Sequence, residues 1–386
     1  MQRLFYFFSS VRLTVVLLAC SILLVFWGTL AQVDLGIHEV QHRFFESFIL
    51  IIPLIAVENF RWVGLPFPGG YTVGILLLIN LVCAHFRYYR PSKKKIGIVF
   101  IHGGFVLLII SGFLTSALQQ ETNMWLEEGE KTRFLESSRD NELVFINKSH
   151  PEQDTVVSIS ETLLKTGASF SPEALPFSVK IINFYPNADI GLRSQNPTTK
   201  PNPATHGAGA KMDIVVMPKA ISYKDDEPNT VTAYIELSDK EGVIGTWLAS
   251  NLMDERFPPQ KVAVDGTTFE IALRFKRTYL PYSIELIDFK HDRYPGTQIP
   301  RNFSSQIKVL NETTGEVRPA LISMNHPLRY EGLTFYQASF AKNDTASMLL
   351  VVRNPSWQLP YIAVLIMGLG LLLHFVVQLT HFLKNR

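Results

Sequence analysis

The sequence predicts a membrane protein with four transmembrane α-helices and a large extracytoplasmic β-rich domain of sandwich-like or barrel-like form. Four long apolar runs predict the helices, and a polar stretch between the third and fourth runs carries short strand-like patterns. Only 18% of the 386 residues are charged, whereas soluble domains carry about 25%. The net charge of +2 is too small for a protein that binds nucleic acid by neutralising its phosphates.

The apolar runs have the length that a membrane requires, because a helix needs about 17 to 25 apolar residues to cross about 30 Å of hydrocarbon. The predicted spans are 13–30, 71–86, 96–118 and 359–380. A shorter run at 48–57 contains Pro53 and predicts an interfacial segment around 44–57. Three regions follow: three transmembrane helices over 1–118, the β-rich domain over 119–358, and the fourth helix with a tail over 359–386.

Basic residues collect on one side of the predicted spans, and Lys and Arg in short flanks mark the cytoplasmic side. The loop after the second run contains Arg87, Arg90 and three lysines at 93–95, and both termini add more. The 31–70 segment contains only two. We therefore expect a multi-pass protein of the plasma (bacterial inner) membrane, with both termini in the cytoplasm and the domain at 119–358 outside.

The polar stretch 119–358 alternates β-branched and aromatic runs with Gly, Pro, Asn and Asp, which is typical of strands joined by turns. Residues 185–211 include Asn-Pro-Thr-Thr-Lys-Pro-Asn-Pro, so we expect a loop without regular structure there. The predicted strands are 177–184, 212–217, 230–237, 268–275, 283–289, 306–310, 320–324, 333–340 and 348–352.

This domain lacks the usual signatures of catalytic sites, and we expect no catalytic residue in it. The sequence contains no Gly-x-Ser-x-Gly, no His-Glu-x-x-His and no phosphate-binding Gly-rich loop there, and the domain's histidines lie far apart. Two cysteines, Cys20 and Cys83, lie in apolar runs. They exclude a disulfide framework, a Cys-rich zinc site and an attached c-type haem, which requires Cys-x-x-Cys-His.

Three histidines lie in the predicted spans, all on the predicted cytoplasmic side: His85 ends the second run, and His102 and His374 lie about two turns inside the third and fourth. Polar side chains in hydrocarbon are costly, which makes these residues functional candidates, and a neutral imidazole is a ligand of haem iron. Other interpretations remain open: His85 snorkels to the interface, His102 hydrogen-bonds a neighbouring helix beside Gly103 and Gly104, and His374 is structural. The basic loop either contacts haem propionates or only anchors the protein.

Residues 324–340 read Met-Asn-His-Pro-Leu-Arg-Tyr-Glu-Gly-Leu-Thr-Phe-Tyr-Gln-Ala-Ser-Phe. This block closely resembles the hallmark of the ResB, or CcsB, family of cytochrome c biogenesis proteins. The block itself predicts a turn and a strand packed on a core. Other segments resemble the family in the same order: 9–13 (Ser-Ser-Val-Arg-Leu), 28–30 (Gly-Thr-Leu), 67–70 (Phe-Pro-Gly-Gly), 78–81 (Leu-Ile-Asn-Leu), 84–85 (Ala-His) and 354–356 (Asn-Pro-Ser).

The resemblance implies a subunit of a membrane cytochrome c synthase of the System II type. With a CcsA-type or ResC-type membrane partner, such a subunit exports haem and supports its covalent attachment to Cys-x-x-Cys-His of apocytochrome c. The implied cofactor is haem b, held transiently and non-covalently and shared with the partner, with no other metal. Thiol-reducing proteins are implied as indirect partners and nucleic acid is not. In fused versions of the pair, a histidine near the inner end of a span contributes to a haem site with a partner histidine. His85 matches that histidine, whereas the resemblance gives His102 and His374 no such role.

The chain lacks the tryptophan-rich outer motif and the outer histidine pair of the CcsA type. The resemblance therefore implies a non-catalytic or co-catalytic subunit of the haem lyase complex, which does not attach haem by itself. A membrane scaffold or chaperone that assembles apocytochrome without binding haem is the alternative. A b-type electron carrier is disfavoured, because the three candidate histidines crowd one leaflet instead of pairing across the bilayer.

Overall fold

The computed structural model describes residues 2–53, 64–88, 95–150, 153–196, 201–222, 228–253, 257–297, 300–341 and 345–384. The chain divides into two compact units. We call Met1–Gln120 with Arg353–Arg386 the helical unit, and Glu121–Ser222 with Glu227–Val352 the β-rich unit.

The helical unit contains four helices that are long and apolar enough to cross a membrane. They are α2 (Val11–Leu35), α4 (Gly70–Tyr88), α5 (Ile96–Leu118) and α7 (Gln358–Lys384), preceded by α1 (Gln2–Phe8) and joined by the short α3 (Ile37–Val40). A five-residue helix in the β-rich unit is α6 (Gly207–Lys211). The chain is therefore a multi-pass membrane protein, as the four predicted spans required.

Helices α5 and α7 approach each other closely along small residues. A Cβ atom placed on Gly97 would lie 2.6 Å from the backbone oxygen of Gly370 and 2.7 Å from the backbone nitrogen of His374. One placed on Gly104 would lie 2.8 Å from the backbone oxygen of Ala363. Small side chains let helix backbones pack at this distance within a membrane, so these glycines fix the first half of α5 against residues 363–374 of α7.

The segment after α3 contains part of a short hairpin, and its predicted interfacial position stays a prediction. A π-helical turn (Gln41–Phe45) is followed by strand β1 (Ile49–Pro53), which pairs antiparallel with β2 (Gly64–Pro68). Residues 48–52 read Phe-Ile-Leu-Ile-Ile, and aromatic and β-branched residues of this kind favour a strand. Residues 54–63, which include the rest of the predicted stretch, lie outside the described residues.

The described residues of the β-rich unit form sixteen strands, most of them antiparallel neighbours in one large, nearly closed sheet. The fold class predicted from the sequence is confirmed. The strands are β3 (Gln120–Glu127), β4 (Lys131–Asn147), β5 (Thr155–Ser160), β6 (Ser169–Phe170), β7 (Ser178–Tyr185), β8 (Ala188–Leu192), β9 (Ile214–Pro218), β10 (Thr232–Ser238), β11 (Val243–Ser250), β12 (Gln260–Val264), β13 (Thr267–Arg293), β14 (Pro300–Asn311), β15 (Glu316–Ser323), β16 (Leu328–Tyr330), β17 (Leu333–Ala341) and β18 (Ala346–Arg353).

Two long strands, β4 and β13, join two hydrophobic cores. The first half of β13 places Phe269 and Leu273 in one core, and the second half places Ile284 and Leu286 in the other. The pairing of β13 with β4 shifts register between the two halves, as β-bulges do where a strand bends. The predicted strands 268–275 and 283–289 are therefore parts of one strand. The large sheet runs in the order β15-β14-β13-β4-β3-β18-β17-β16, and a smaller sheet in the order β11-β10-β7-β6.

Residues 324–340, which we call the hallmark hairpin, form β16, a tight turn and most of β17. Tyr330 pairs with Leu333 across Glu331 and Gly332, whose φ angles are +47° and +74°. Positive φ at both central residues is typical of a two-residue hairpin turn and favours Gly. Phe335 is fully buried in the second core, and Tyr330 is 8% exposed. The prediction of a turn and a strand packed on a core is confirmed.

The expectation that residues 185–211 lack regular structure was wrong in part. Strand β8 lies in this segment and pairs antiparallel with β9, and α6 ends it. Pairing with a distant strand satisfies the backbone of β8, which no local pattern in a Pro- and Asn-rich segment reveals. Residues 197–200, in the Pro-rich part, lie outside the described residues.

Candidate functional site

The structure brings together two of the three predicted histidines. His85 stands in the last turn of α4 and His102 in the second turn of α5, and their Nδ1 atoms are 3.4 Å apart. Their ring centroids are 5.6 Å apart and the ring planes are nearly perpendicular, at 72°. Both side chains are partly exposed. The two imidazoles therefore contact each other at the point where α4 and α5 meet.

The distance between the two Nδ1 atoms decides what the pair can hold. An optimal N–H hydrogen bond is about 2.9 to 3.0 Å long. A metal–imidazole bond is about 2 Å long, so one metal between two imidazole nitrogens separates them by about 4 Å. At 3.4 Å, the histidines form a long hydrogen bond and leave no room for an iron between them. The pair fits a haem iron only through a nitrogen that faces away from the other ring.

His374 does not join this pair. It lies on α7, where its backbone nitrogen packs against Gly97 of α5. Its Nδ1 is buried and has no hydrogen-bond partner among the described residues. The structure thus gives His374 a place in the α5–α7 contact.

A polar network fixes the end of the helical unit that carries these histidines, which we call the histidine end. Asn80, buried in α4, donates hydrogen bonds to the backbone oxygens of Phe8 (2.6 Å) and Ser10 (3.1 Å). Its Oδ1 accepts one from Thr14 (2.6 Å). All the polar atoms of the Asn80 side chain are satisfied, which removes the cost of an amide in an apolar helix. Asn80 lies five residues before His85, so it anchors that part of α4.

Arg87 completes this network two residues after His85. Its guanidinium donates to the Ser9 hydroxyl (2.9 Å) and to the backbone oxygen of Tyr6 (3.3 Å). It also stands over the Tyr6 ring, 4.6 Å from the centroid. The segments 9–13 and 78–85 that carry the resemblance therefore meet here. Of the predicted basic positions, Arg90, Lys93, Lys94 and Arg386 lie outside the described residues.

The sequence reasoning missed a polar cluster at the opposite end of the helices. The rings of His38 and His42 are 5.4 Å apart, and His42 Nδ1 lies 3.9 Å from Glu46 Oε2. Ser116 donates to Glu46 Oε1 (2.6 Å). The spacing His-x-x-x-His-x-x-x-Glu is a helical signal, but these residues lie outside the predicted membrane spans in which candidate histidines were identified. No three His, Cys, Asp or Glu side chains are arranged to hold a metal ion within the described parts of the chain.

Comparison with known proteins gives the class of the chain. Residues 256–359 match the model of the ResB-like family. The chain is 21% identical over 303 residues to protein NrfI of Wolinella succinogenes, and the aligned region covers 78% of this chain and 29% of NrfI. It is 38% identical over 79 residues to the cytochrome c biogenesis protein CcsB of Prochlorococcus marinus, covering 20% of this chain and 18% of that protein. It is 35% identical over 95 residues to the cytochrome c biogenesis protein Ccs1 of Rhodomonas salina, covering 24% and 21%.

The fold and these matches define a multi-pass membrane protein that is similar to proteins named for cytochrome c biogenesis. The ResB-like resemblance predicted from the sequence is confirmed, and the matched family segment contains the whole hallmark hairpin. The matched regions cover less than a third of the length of each relative named above.

Proposed function

We propose that this chain is a haem-handling subunit of a membrane cytochrome c synthase. With a CcsA-type or ResC-type partner it exports haem b and supports its covalent attachment to Cys-x-x-Cys-His of apocytochrome c. Haem is the substrate, held non-covalently and passed on. The similarity to CcsB and Ccs1 supports this proposal.

The contact between His85 and His102 is the observation that carries the proposal. Because their Nδ1 atoms are 3.4 Å apart, we do not propose that both histidines bind one iron between them. The pair is suited to offer one axial nitrogen, which we assign to His85, so that the other axial ligand comes from the partner. A haem shared between two proteins in this way can leave this chain when the partner's contacts change.

The proposed orientation places the histidine end at the cytoplasmic face of a bacterial inner membrane. The positive-inside distribution of Lys and Arg supports this orientation. The chain enters the β-rich unit after the opposite end of α5 and returns from it at the start of α7. In this orientation haem enters on the cytoplasmic side, and the β-rich unit faces the compartment in which apocytochrome is matured.

The chemistry of attachment belongs to other proteins in this proposal. The two cysteines of the sequence, Cys20 and Cys83, lie in α2 and α4. The β-rich unit therefore offers no thiol for disulfide exchange with the cysteines of apocytochrome, and reduction of those cysteines falls to thiol-reducing proteins. This chain acts as a non-catalytic or co-catalytic subunit.

The test is the haem content of the full chain purified together with a co-expressed CcsA-type partner. We expect a pyridine haemochrome signal in the wild-type complex, and loss of most of it in His85→Ala. His150→Ala is the matched control, because His150 is an exposed histidine of the β-rich unit, and it is expected to keep the wild-type haem content. A wild-type complex without haem, or a His85→Ala complex with full haem content, contradicts the proposal.

A scaffold that assembles apocytochrome without binding haem is the second candidate, and the surface of β15 favours it. Val317 and Leu321 of this strand, which is last in the strand order of the large sheet, are each 63% exposed. Exposed apolar side chains on an end strand are suited to bind an unfolded polypeptide. If the chain is such a scaffold, Leu321→Glu stops cytochrome maturation. Neither Leu321→Glu nor His85→Ala then changes the haem content of the complex.

A further inference from the structure

We propose that His102 is the positioning residue of His85: it accepts the Nδ1–H of His85 and so keeps the Nε2 lone pair of His85 available for haem iron. This inference rests on the proposed function. It assigns His102 a role toward His85 and no direct bond to the iron.

The argument begins with the protons of the pair. A neutral imidazole carries one N–H and one lone pair on its two nitrogens. Two neutral rings that meet through Nδ1 atoms, as His85 and His102 do at 3.4 Å, share one proton between those atoms. The ring that donates keeps its lone pair on Nε2, and the ring that accepts carries its own proton on Nε2. The pair therefore presents one ligating Nε2, and each ring sets the tautomer of the other.

The surroundings of the two rings give His102 the supporting role. His102 stands on α5, which is held against α7 by the backbone contacts of Gly97 and Gly104. The packing of α5 against α7 therefore fixes the helix that carries the His102 ring. His85 stands in the last turn of α4, and because we assign the iron-ligating nitrogen to this ring, His102 is left as its hydrogen-bond acceptor. Residues that hydrogen-bond to a ligating histidine fix its tautomer and orientation, and their loss costs about 10- to 100-fold in metal affinity.

The same bond changes the electronic character of the ligand. An imidazole that donates its second N–H to an acceptor is a more basic ligand. A more basic ligand favours ferric over ferrous iron. Loss of the acceptor therefore raises the reduction potential of the bound haem, and an unrelated packing defect has no reason to do so while leaving the axial ligand in place.

The positioning role of His102 is tested by two substitutions, one of which keeps a hydrogen-bond acceptor at the position of Nδ1. Asn at position 102 places a carbonyl oxygen near the position of Nδ1 and can accept the same hydrogen bond, whereas Leu fills the volume without an acceptor. In the full chain co-purified with its CcsA-type partner, we expect His102→Leu to lower haem affinity about 10- to 100-fold and to raise the reduction potential. His102→Asn is expected to restore both close to wild type. His85→Asn is the reciprocal variant and is expected to lose haem as fully as His85→Ala.

The outcomes separate the two proposals. If His102→Leu matches wild type in both affinity and potential, the positioning role is wrong while haem binding by His85 stands. If His102→Asn loses haem fully and His85→Asn keeps it, the roles are reversed and this inference is overturned. If the wild-type complex holds no haem, the proposed function and this inference fall together.

Discussion

The hallmark hairpin and the histidine end use their sequence in opposite ways. In the hallmark hairpin, the side chains that make the resemblance recognisable are occupied in building a core: Phe335 is fully buried, and Gln337 bonds to Ser305 (2.6 Å) and Ser347 (3.0 Å) inside the sheet. At the histidine end, Asn80 and Arg87 hydrogen-bond to the segment before α2, whereas the rings of His85 and His102 contact each other and remain partly exposed. The segment that is easiest to recognise is therefore structural. The residues that could bind a ligand are few, and they lie on different helices.

The comparison predicts that the largest loss of stability comes from a substitution in the hallmark hairpin. Phe335→Ala removes a fully buried ring from the second core, and truncation of a buried Phe costs about 3 to 5 kcal/mol. We expect a large fall in the melting temperature of the β-sheet signal in the circular dichroism of the full chain in detergent.

The control for Phe335→Ala is Tyr336→Ala in the same strand. Tyr336 points to the other face and is 37% exposed, so its truncation is expected to cost under about 1 kcal/mol. Equal melting temperatures for the two variants would show that the hallmark hairpin is recognised for its surface and not for its packing, and the contrast drawn above would be wrong.

The sequence predicts the membrane helices well because a membrane imposes one simple rule. The helix 96–118 begins and ends as predicted, and the other three differ only by a few residues at their ends. The β-rich unit was predicted as a class, but the continuity of β13 was missed, and so were the strands β3, β4, β5, β6, β8, β11, β12 and β16. Strands such as β4 contain Glu, Arg and Asp on a half-exposed face, and pairing between distant segments leaves no local pattern.

The sequence predicts which histidines belong to the candidate site, but it does not predict that two of them contact each other. His85 and His102 were identified because imidazoles in apolar runs are costly. That they face each other depends on how α4 and α5 pack, since the two residues are seventeen positions apart on different helices. Asn80 was recognised as part of a motif, but its hydrogen bonds to the start of α2 follow from tertiary packing.

A smaller effect is expected in the helical unit. Gly370→Ala places a Cβ 2.7 Å from the Cβ of Phe100 and 2.8 Å from the backbone oxygen of Gly97, which forces α7 away from α5. Overpacking of this kind costs about 1 to 3 kcal/mol. We expect a lower melting temperature of the helical signal in detergent. Gly368→Ala, on the same helix with nothing within 4 Å of the added Cβ, is the matched control and is expected to leave it unchanged. A similar loss in both variants would show that helix flexibility, not contact with α5, determines the effect.

The smallest effect concerns two tyrosines in edge-to-face contact, one of which lies in the hallmark hairpin. The rings of Tyr282 and Tyr330 are 4.8 Å apart and nearly perpendicular. The Tyr330 hydroxyl donates to Glu316 Oε2 (2.7 Å), whereas the buried Tyr282 hydroxyl has no hydrogen-bond partner among the described residues. A buried hydroxyl without a partner costs free energy, and a bonded one contributes about 0.5 to 1.5 kcal/mol. Tyr330→Phe is therefore expected to lower the free energy of unfolding by about that amount, and Tyr282→Phe to leave it unchanged or to raise it slightly.

The pH dependence of stability gives a second test of the Tyr282 hydroxyl. Burial raises the pKa of the Tyr282 phenol above its usual range. A group whose folded pKa lies above its unfolded pKa stabilises the fold fully below the unfolded pKa, about 10 for Tyr, and loses that contribution as the pH rises. Between pH 8 and pH 11 the melting temperature of the wild-type chain should fall more steeply than that of Tyr282→Phe, because the other titrating groups are common to both proteins. Parallel curves would mean that the Tyr282 hydroxyl is hydrated in the folded chain, and the second core would then be less closed at this point than the hallmark hairpin suggests.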